Sequence, residues 1–276
     1  MVHQYAENLD LVYELKPSAE SRDKPYKINR FGMRDQEYAL QKPANTIRIA
    51  VIGDSVAFGH QIPVEDTFEH LLEDKLNATS DVHFEVLNFS VVGYNSRQEE
   101  IVLKDKVLPF EPDYLLIGVC LNDETQSDGL GELARQMHPK AWGSRLHSRL
   151  VSTMLNRWER SSARRRKDFT QINHLFATAK QLGERQGFEP IVLNFPYHFT
   201  SLEEYKPKWR AQQETIETYA RDNGVASIDF MLLWKDHDAV TRQNFYLKDD
   251  RKHFSREGMQ QIADVLYERF SGSRED

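Results

Sequence analysis

The sequence predicts an α/β fold, a parallel sheet with helices on both faces, and three observations predict it. Short, largely apolar runs of strand-forming composition recur at residues 47–53, 84–91, 114–120, 191–195 and 226–230. Amphipathic stretches with helical spacing separate them. The first run, Ile47-Arg48-Ile49-Ala50-Val51-Ile52-Gly53, stops at a glycine, as suits a central strand delivering the chain to a loop. Strands alternating with helices imply right-handed βαβ crossovers, which put helices on both faces. In such sheets the chemistry collects outside the carboxyl ends of the strands.

The elements follow in chain order. Residues 1–46 are polar, carry prolines at 17, 25 and 43 and show no helical period. Asn29-Arg30-Phe31-Gly32-Met33-Arg34-Asp35 reads as a turn between short extended pieces. The segment is expected to be an arm lying on the core at 47–276, because Tyr13, Tyr26 and Phe31 need cover. Residues 67–76 place Phe68, Leu71, Leu72 and Leu76 on one helical face. Residues 98–107 place Ile101, Val102 and Val107 near one face, before Pro109 ends the helix. Longer amphipathic helices are expected at 168–186 and 203–223. Ser255 is an expected N-cap for a last helix carrying Ile262, Leu266 and Phe270. Between the third strand and the next long helix lie 44 residues, 124–167, with Trp142, Leu146, Leu150 and Trp158. These are expected to form a helical cap beside the site. No internal repeat is present.

Composition narrows the function. A chain of 276 residues is one large domain or two small ones. At this size it buries roughly 70–75% of its unfolded surface, so it needs no disulfide or zinc staple. A single cysteine excludes a disulfide scaffold and a Cys-based zinc site. Thirty-six Lys and Arg against 43 Asp and Glu, net −7, argue against a general nucleic-acid binder. No apolar run reaches the length of a transmembrane helix. The first eight residues have neither a basic nor an apolar region of a signal peptide, so a cytoplasmic location is expected. A sequence trimmed of its leader would read the same way.

Four sites follow strand ends or precede the last helix. After the first strand comes Gly53-Asp54-Ser55-Val56-Ala57-Phe58-Gly59. A serine at a strand-to-helix turn offers an exposed hydroxyl near free backbone N–H groups, as a nucleophile and an oxyanion hole need. Ala57 stands where the nucleophile elbow of α/β-hydrolases has its second glycine. Gly93, after the second strand, can bring its N–H close to an oxyanion. Asn122 and Asp123, after the third, offer a side-chain amide donor with a neighbouring carboxylate. His253, three residues after Asp250, pairs a base with a group that fixes its tautomer. Taken singly these are a helix cap, a loop glycine, a turn and a surface ion pair. Together, and in this order, they form one constellation.

Gly53-Asp54-Ser55, Gly93, Gly118-x-x-x-Asn122-Asp123 and Asp250-x-x-His253 resemble the four blocks of the SGNH/GDSL hydrolase superfamily. The resemblance spans residues 47 to about 270. It implies a three-layer α/β/α fold with a five-stranded, flavodoxin-like sheet. It also implies Ser55 as nucleophile, His253 as base and acid, and Asp250 orienting His253. The implied oxyanion donors are the N–H groups of Ser55 and Gly93 and the Asn122 side chain, with Asp54 and Asp123 supporting. Two departures stand out: Val56 replaces the leucine that often follows Gly-Asp-Ser, and three residues rather than one separate Gly118 from Asn122. The stretch 27–35 looks like the arm of a bacterial subgroup tied to surface-polysaccharide or secondary-metabolite pathways, and supplies no site residue.

The implied reaction is hydrolysis of an ester of a small molecule, carbohydrate or lipid through an acyl-serine. An acyltransferase on the same serine is the alternative, and a non-catalytic binding module a third. No cofactor and no metal are expected, since there is no His-Glu-x-x-His, EF-hand loop or cysteine cluster. Arg157, Arg160, Arg164, Arg165 and Arg166 read as a solvated helix face or as a site for an anionic ligand or partner protein. The oligomeric state is not encoded in any motif. Gly129-Leu130-Gly131-Glu132-Leu133-Ala134 matches a loose dinucleotide pattern but does not directly follow a strand. Asn77-Ala78-Thr79 and Asn88-Phe89-Ser90 are sequons in form only. Cys120 reads as core packing rather than a rival nucleophile.

Overall fold

The computed structural model describes residues 2–8, 10, 11, 13–21, 24, 26–121 and 169–272. The expected insertion at 124–167 therefore lies outside the described residues. So do Asn122, Asp123 and the arginines at 157, 160 and 164–166.

Among the described residues, seven strands form two sheets. β1 (His3–Tyr5) and β2 (Tyr13–Leu15) make an antiparallel hairpin within the N-terminal segment. β3 (Thr46–Gly53), β4 (His83–Asn88), β5 (Tyr114–Cys120), β6 (Glu189–Phe195) and β7 (Ala226–Asp229) form a parallel sheet of order β4-β3-β5-β6-β7. That is the 2-1-3-4-5 order of flavodoxin-like folds. The three inner strands are apolar and buried on both faces, as a covered parallel sheet requires.

α1 (Phe68–Thr79) crosses from β3 to β4 and packs against α7 (Arg256–Ser271). On the other face run α2 (Ser96–Val102), α3 (Thr170–Gln186) and α4 (Pro207–Asp222), each against the next. Two short helices, α5 (Phe230–Trp234) and α6 (Ala239–Asn244), lead toward the last loop. Asp229 and Asp238 cap them through backbone N–H groups of the first turn. Among the described residues no helix is long and apolar enough to cross a membrane.

Two sequence expectations change. The helix read at 98–107 is regular only to Val102; a π-turn covers Leu103–Val107 and a 3₁₀ turn Leu108–Phe110. Pro109, lacking an N–H, sits inside that last turn. The N-terminal segment is held more tightly than polar composition suggests: Tyr13, Tyr26, Met33 and Tyr38 are buried. Buried Arg48 of β3 pairs with Glu85 at 2.6 Å and donates to the carbonyls of Leu40 and Phe110, at 2.8 and 2.7 Å. This fixes the end of the segment to the sheet.

Candidate active site

The site begins where β3 meets β5. Gly53 and Gly118 lie side by side in register. A Cβ on Gly53 would stand 2.9 Å from both the Ala57 Cβ and the Gly118 carbonyl. A Cβ on Gly118 would stand 3.0 Å from the Ala57 Cβ and 3.1 Å from the Phe195 ring. The paired glycines are the notch into which the chain folds back after Ser55, and this gives Gly118 a packing role.

That fold-back is not a helix. The expected strand-to-helix turn is instead a run of turns over 54–62, and α1 starts only at Phe68. Phe58 N–H donates to the Asp54 carbonyl and His60 N–H to that of Ser55, but Gly59 (φ 71°) and Gln61 (φ 66°) are left-handed. Positive φ at alternate residues stops helix propagation. Asp54, fully buried, accepts from Val56 N–H at 2.8 Å, and its other oxygen lies 3.5 Å from both Ser55 Oγ and the thiol of buried Cys120.

His253 arrives from the far end of the chain. Its loop is closed by Leu247 N–H to the His253 carbonyl, 3.0 Å, and Ser255 N–H to the Phe245 carbonyl, 2.9 Å. Ser255 then caps α7 through Gly258 N–H. Asp250 Oδ1 accepts from the N–H groups of Lys252 (2.9 Å) and His253 (3.2 Å), an Asx-type turn. This leaves Oδ2 2.7 Å from His253 Nδ1, while His253 Nε2 lies 2.8 Å from Ser55 Oγ. With the carboxylate accepting from Nδ1–H, Nε2 is the acceptor that faces the serine hydroxyl. Burial works against the Asp250 charge, but the bonds from His253 and the two backbone N–H groups outweigh it and hold the carboxyl down at about 2. Ser55 and His253 are 6% and 7% exposed, so the pair meets at the floor of the site.

The Gly93 loop leaves the sheet beside this pair. Val91 N–H donates to the Gly53 carbonyl at 3.1 Å, and Gly93 adopts φ 81°. Asn95 then starts α2 with a capping box shared with Gln98. Among the described residues neither Ser55 N–H nor Gly93 N–H has a hydrogen-bond acceptor. The structure thus brings Ser55, His253, Asp250 and Asp54 together, with the Gly93 loop adjoining.

Three further residues reach the site without any motif announcing them. The His60 ring lies 4.8 Å from that of His253, and His60 Nδ1 is 3.2 Å from Tyr26 Oη. Burial and the neighbouring His253 push the His60 imidazole down to about 4. Arg34 lies within the stretch expected to supply no site residue. It is 1% exposed and donates to the carbonyls of Phe58 (2.6 Å), Gly59 (2.9 Å) and Ile62, all in the turn that follows Ser55. Its guanidinium also stacks 4.7 Å from the Tyr26 ring and 5.0 Å from Phe58. Next to it, Asp35 accepts from Asn88 N–H at 2.9 Å, and burial pushes its carboxyl up to about 8. The sequence carried a signal of sorts here, three charged residues around Phe31 in one turn. Nothing local showed which carbonyls they would meet.

Comparison with known proteins follows the geometry. The sequence model of the GDSL-like lipase/acylhydrolase family matches residues 51–261. No curated protein matches the chain. The solved structures it resembles include an acetyl xylan esterase, with TM-score 0.56, 15% identity and coverage of 81% of this chain and 99% of that one. A lipase/acylhydrolase from Enterococcus faecalis gives TM-score 0.54, 15% identity and coverage of 82% and 96%. A catalytic mutant of an acetylxylan esterase from Geobacillus stearothermophilus gives 0.53, 14% identity and coverage of 82% and 94%. At these identities the likeness is one of fold.

Proposed function

We propose that this chain, which belongs to the GDSL-like lipase/acylhydrolase family and is an ester-bond hydrolase, uses Ser55 as its nucleophile to remove O-acyl groups from a carbohydrate, lipid or small molecule. One observation carries the reading: the unbroken chain from Ser55 Oγ through His253 to Asp250, with links of 2.8 and 2.7 Å. Ser55 Oγ attacks the ester carbonyl as His253 Nε2 takes its proton. The tetrahedral oxyanion is met by the N–H groups of Ser55 and Gly93. Collapse breaks the C–O bond, and His253 returns the proton to the leaving alcohol. Water repeats the cycle on the acyl-serine, giving the free acid and restoring Ser55. Asp250, held at about 2, stays charged throughout and steadies the imidazolium each time it forms. The acetyl xylan esterases among the similar folds make short acyl groups on sugar hydroxyls the first substrates to try.

The test is intact-mass detection of an acyl adduct on Ser55 after incubation with a panel of esters, alongside turnover of a short p-nitrophenyl ester. Ser55→Ala is expected to lose about 10⁴-fold or more in kcat, as loss of a triad nucleophile does elsewhere. Wild-type turnover in that variant would remove the assignment. Acyl transfer to an added alcohol in preference to water would make the chain a transferase on the same serine.

A further inference from the structure

The N-terminal hairpin touches the Gly93 loop at one point of chemical consequence. Tyr13 of β2 donates its hydroxyl to the Val92 carbonyl at 2.6 Å. Val92 C=O and Gly93 N–H are the two polar groups of a single peptide unit. That unit is planar and trans, so the groups point in opposite directions across it. A hydroxyl that fixes the carbonyl therefore fixes the N–H, aimed away from the hairpin. A second observation places Tyr13 on the correct edge. A Cβ built on Gly93 would lie 2.9 Å from Tyr13 Oη, and in a trans peptide that Cα flanks the carbonyl oxygen, not the N–H.

The contact is locked from both sides. Tyr94 donates its hydroxyl to the Tyr13 carbonyl, and the two rings pack edge to face at 5.3 Å. Gln98 donates to the Leu11 carbonyl at 2.8 Å, tying the start of α2 to the same hairpin. The Gly93 φ of 81° lies where a glycine loop has other conformations within easy reach, so an external hold on the peptide plane matters here.

We propose that Tyr13 is a positioning residue for oxyanion binding: through the Val92 carbonyl it holds the Gly93 peptide plane, and with it the N–H that meets the developing negative charge. This rests on the reading of Gly93 as an oxyanion donor. Tyr13 lies outside residues 51–261, so the hairpin adds a part that the family's own sequence model does not cover. The benefit is preorganisation. A donor already aimed at the oxyanion needs no reorganisation when charge appears.

The experiment is Tyr13→Phe in the full chain, which keeps the ring and removes only the hydroxyl. Arg97→Ala serves as control, because it breaks an exposed hairpin-to-α2 ion pair with Asp10 and leaves Val92 untouched. Tyr13→Phe is expected to lower kcat for p-nitrophenyl acetate about tenfold with KM within twofold, against about 10²–10³ for outright loss of an oxyanion donor. It is also expected to lower the NMR order parameter of the Gly93 amide from the rigid range of about 0.85 to below about 0.6, as release of a held peptide would. Arg97→Ala should change neither. A Gly93 amide equally rigid in wild type and Tyr13→Phe overturns the proposal whatever the activity. So does a Tyr13→Phe protein that loses thermal stability but keeps kcat. A looser Gly93 amide with full kcat at unchanged melting temperature would instead remove Gly93 from the oxyanion hole, and activity surviving in Ser55→Ala would remove the nucleophile. The failures of the proposal and of the reading beneath it are thus separable.

Discussion

The two halves of the Ser55–His253 pair are held in place by different means. The serine turn, 54–62, depends on distant parts of the chain: Arg34 binds three of its carbonyls, Asn88 binds a fourth at Ala57, and Tyr26 Oη accepts from Gln61 N–H. The histidine loop is held mostly from within. Its closing bonds link residues 3–10 apart, one long-range bond joins His198 N–H to the Arg251 carbonyl at 2.7 Å, and an aromatic cluster of Trp234, Tyr246 and Phe254 packs behind it. Buried Arg242 serves that side one step removed, donating to the carbonyls of Phe199 and Lys235 rather than to the loop. Placement of Ser55 is thus a long-range property of the fold, and placement of His253 is mostly a local one.

Perturbing each half should therefore leave a different signature. The largest expected effect on turnover comes from the local half. Asp250→Asn should lower kcat about 10²–10⁴-fold by releasing the imidazole tautomer. The amide oxygen, in the place of Oδ1, can still accept from both backbone N–H groups, so the melting temperature should move by only a few degrees. A large fall in melting temperature would show the loop to be less self-contained than its bonds indicate.

Arg34→Met should show the opposite balance. Three carbonyls lose a buried donor, at about 1–3 kcal/mol for each group left unsatisfied. Partial relaxation leaves an expected loss of about 3 kcal/mol, or about 6–12 °C on melting. The turnover of the folded protein should fall about tenfold, less than for Asp250→Asn because no reacting group is removed. Wild-type melting in this variant would break the comparison outright.

The smallest effect concerns His60, where the halves touch. An unfolded histidine takes up a proton near pH 6.5, whereas folded His60 does so only near 4. Between those values the unfolded histidine binds more protons, so the His60 contribution to stability rises with pH across this window. Asp250 gives a slope of the same sign only between about 2 and 3.9, so the two windows do not overlap. Buried Asp35, raised to about 8, contributes the opposite slope across that window, so His60→Phe should make the melting temperature rise less, or fall more, with pH from 4 to 6.5 than in wild type, and leave the region below 4 unchanged. An unaltered profile from 4 to 6.5 would assign that slope to another group.

Much of this was legible in the sequence. The three inner strands announce themselves through apolar runs, because a doubly covered strand has no polar face to dilute the signal. The contact between Ser55, Asp250 and His253 was anticipated because such a chain needs those residue types, one just after β3 and two in the loop before the last helix. The illegible parts are tertiary. The β1–β2 hairpin is three residues per strand, too short for a period to show. Arg34 looks like any exposed arginine in a polar turn until the carbonyls 24 to 28 residues later fold around it. His60 becomes notable only when a ring 193 positions away lies against it. The break after Val102 had its warning in Pro109, but a proline marks only where a helix must stop, not where it starts to loosen.

The 198-residue interval between Ser55 and His253 has a consequence for the timing of biosynthesis. At about 5–20 residues per second, His253 leaves the ribosome about 10–40 s after Ser55. Arm, serine turn and first strands can associate early, since the bonds that join them fall within residues 11–98. The hydroxyl they hold stays unpaired with its imidazole until the last loop emerges. The Ser55–His253 contact, and with it the activity proposed for the pair, thus arrives late and all at once, and a nascent chain carries Ser55 for most of its synthesis without the imidazole that faces it.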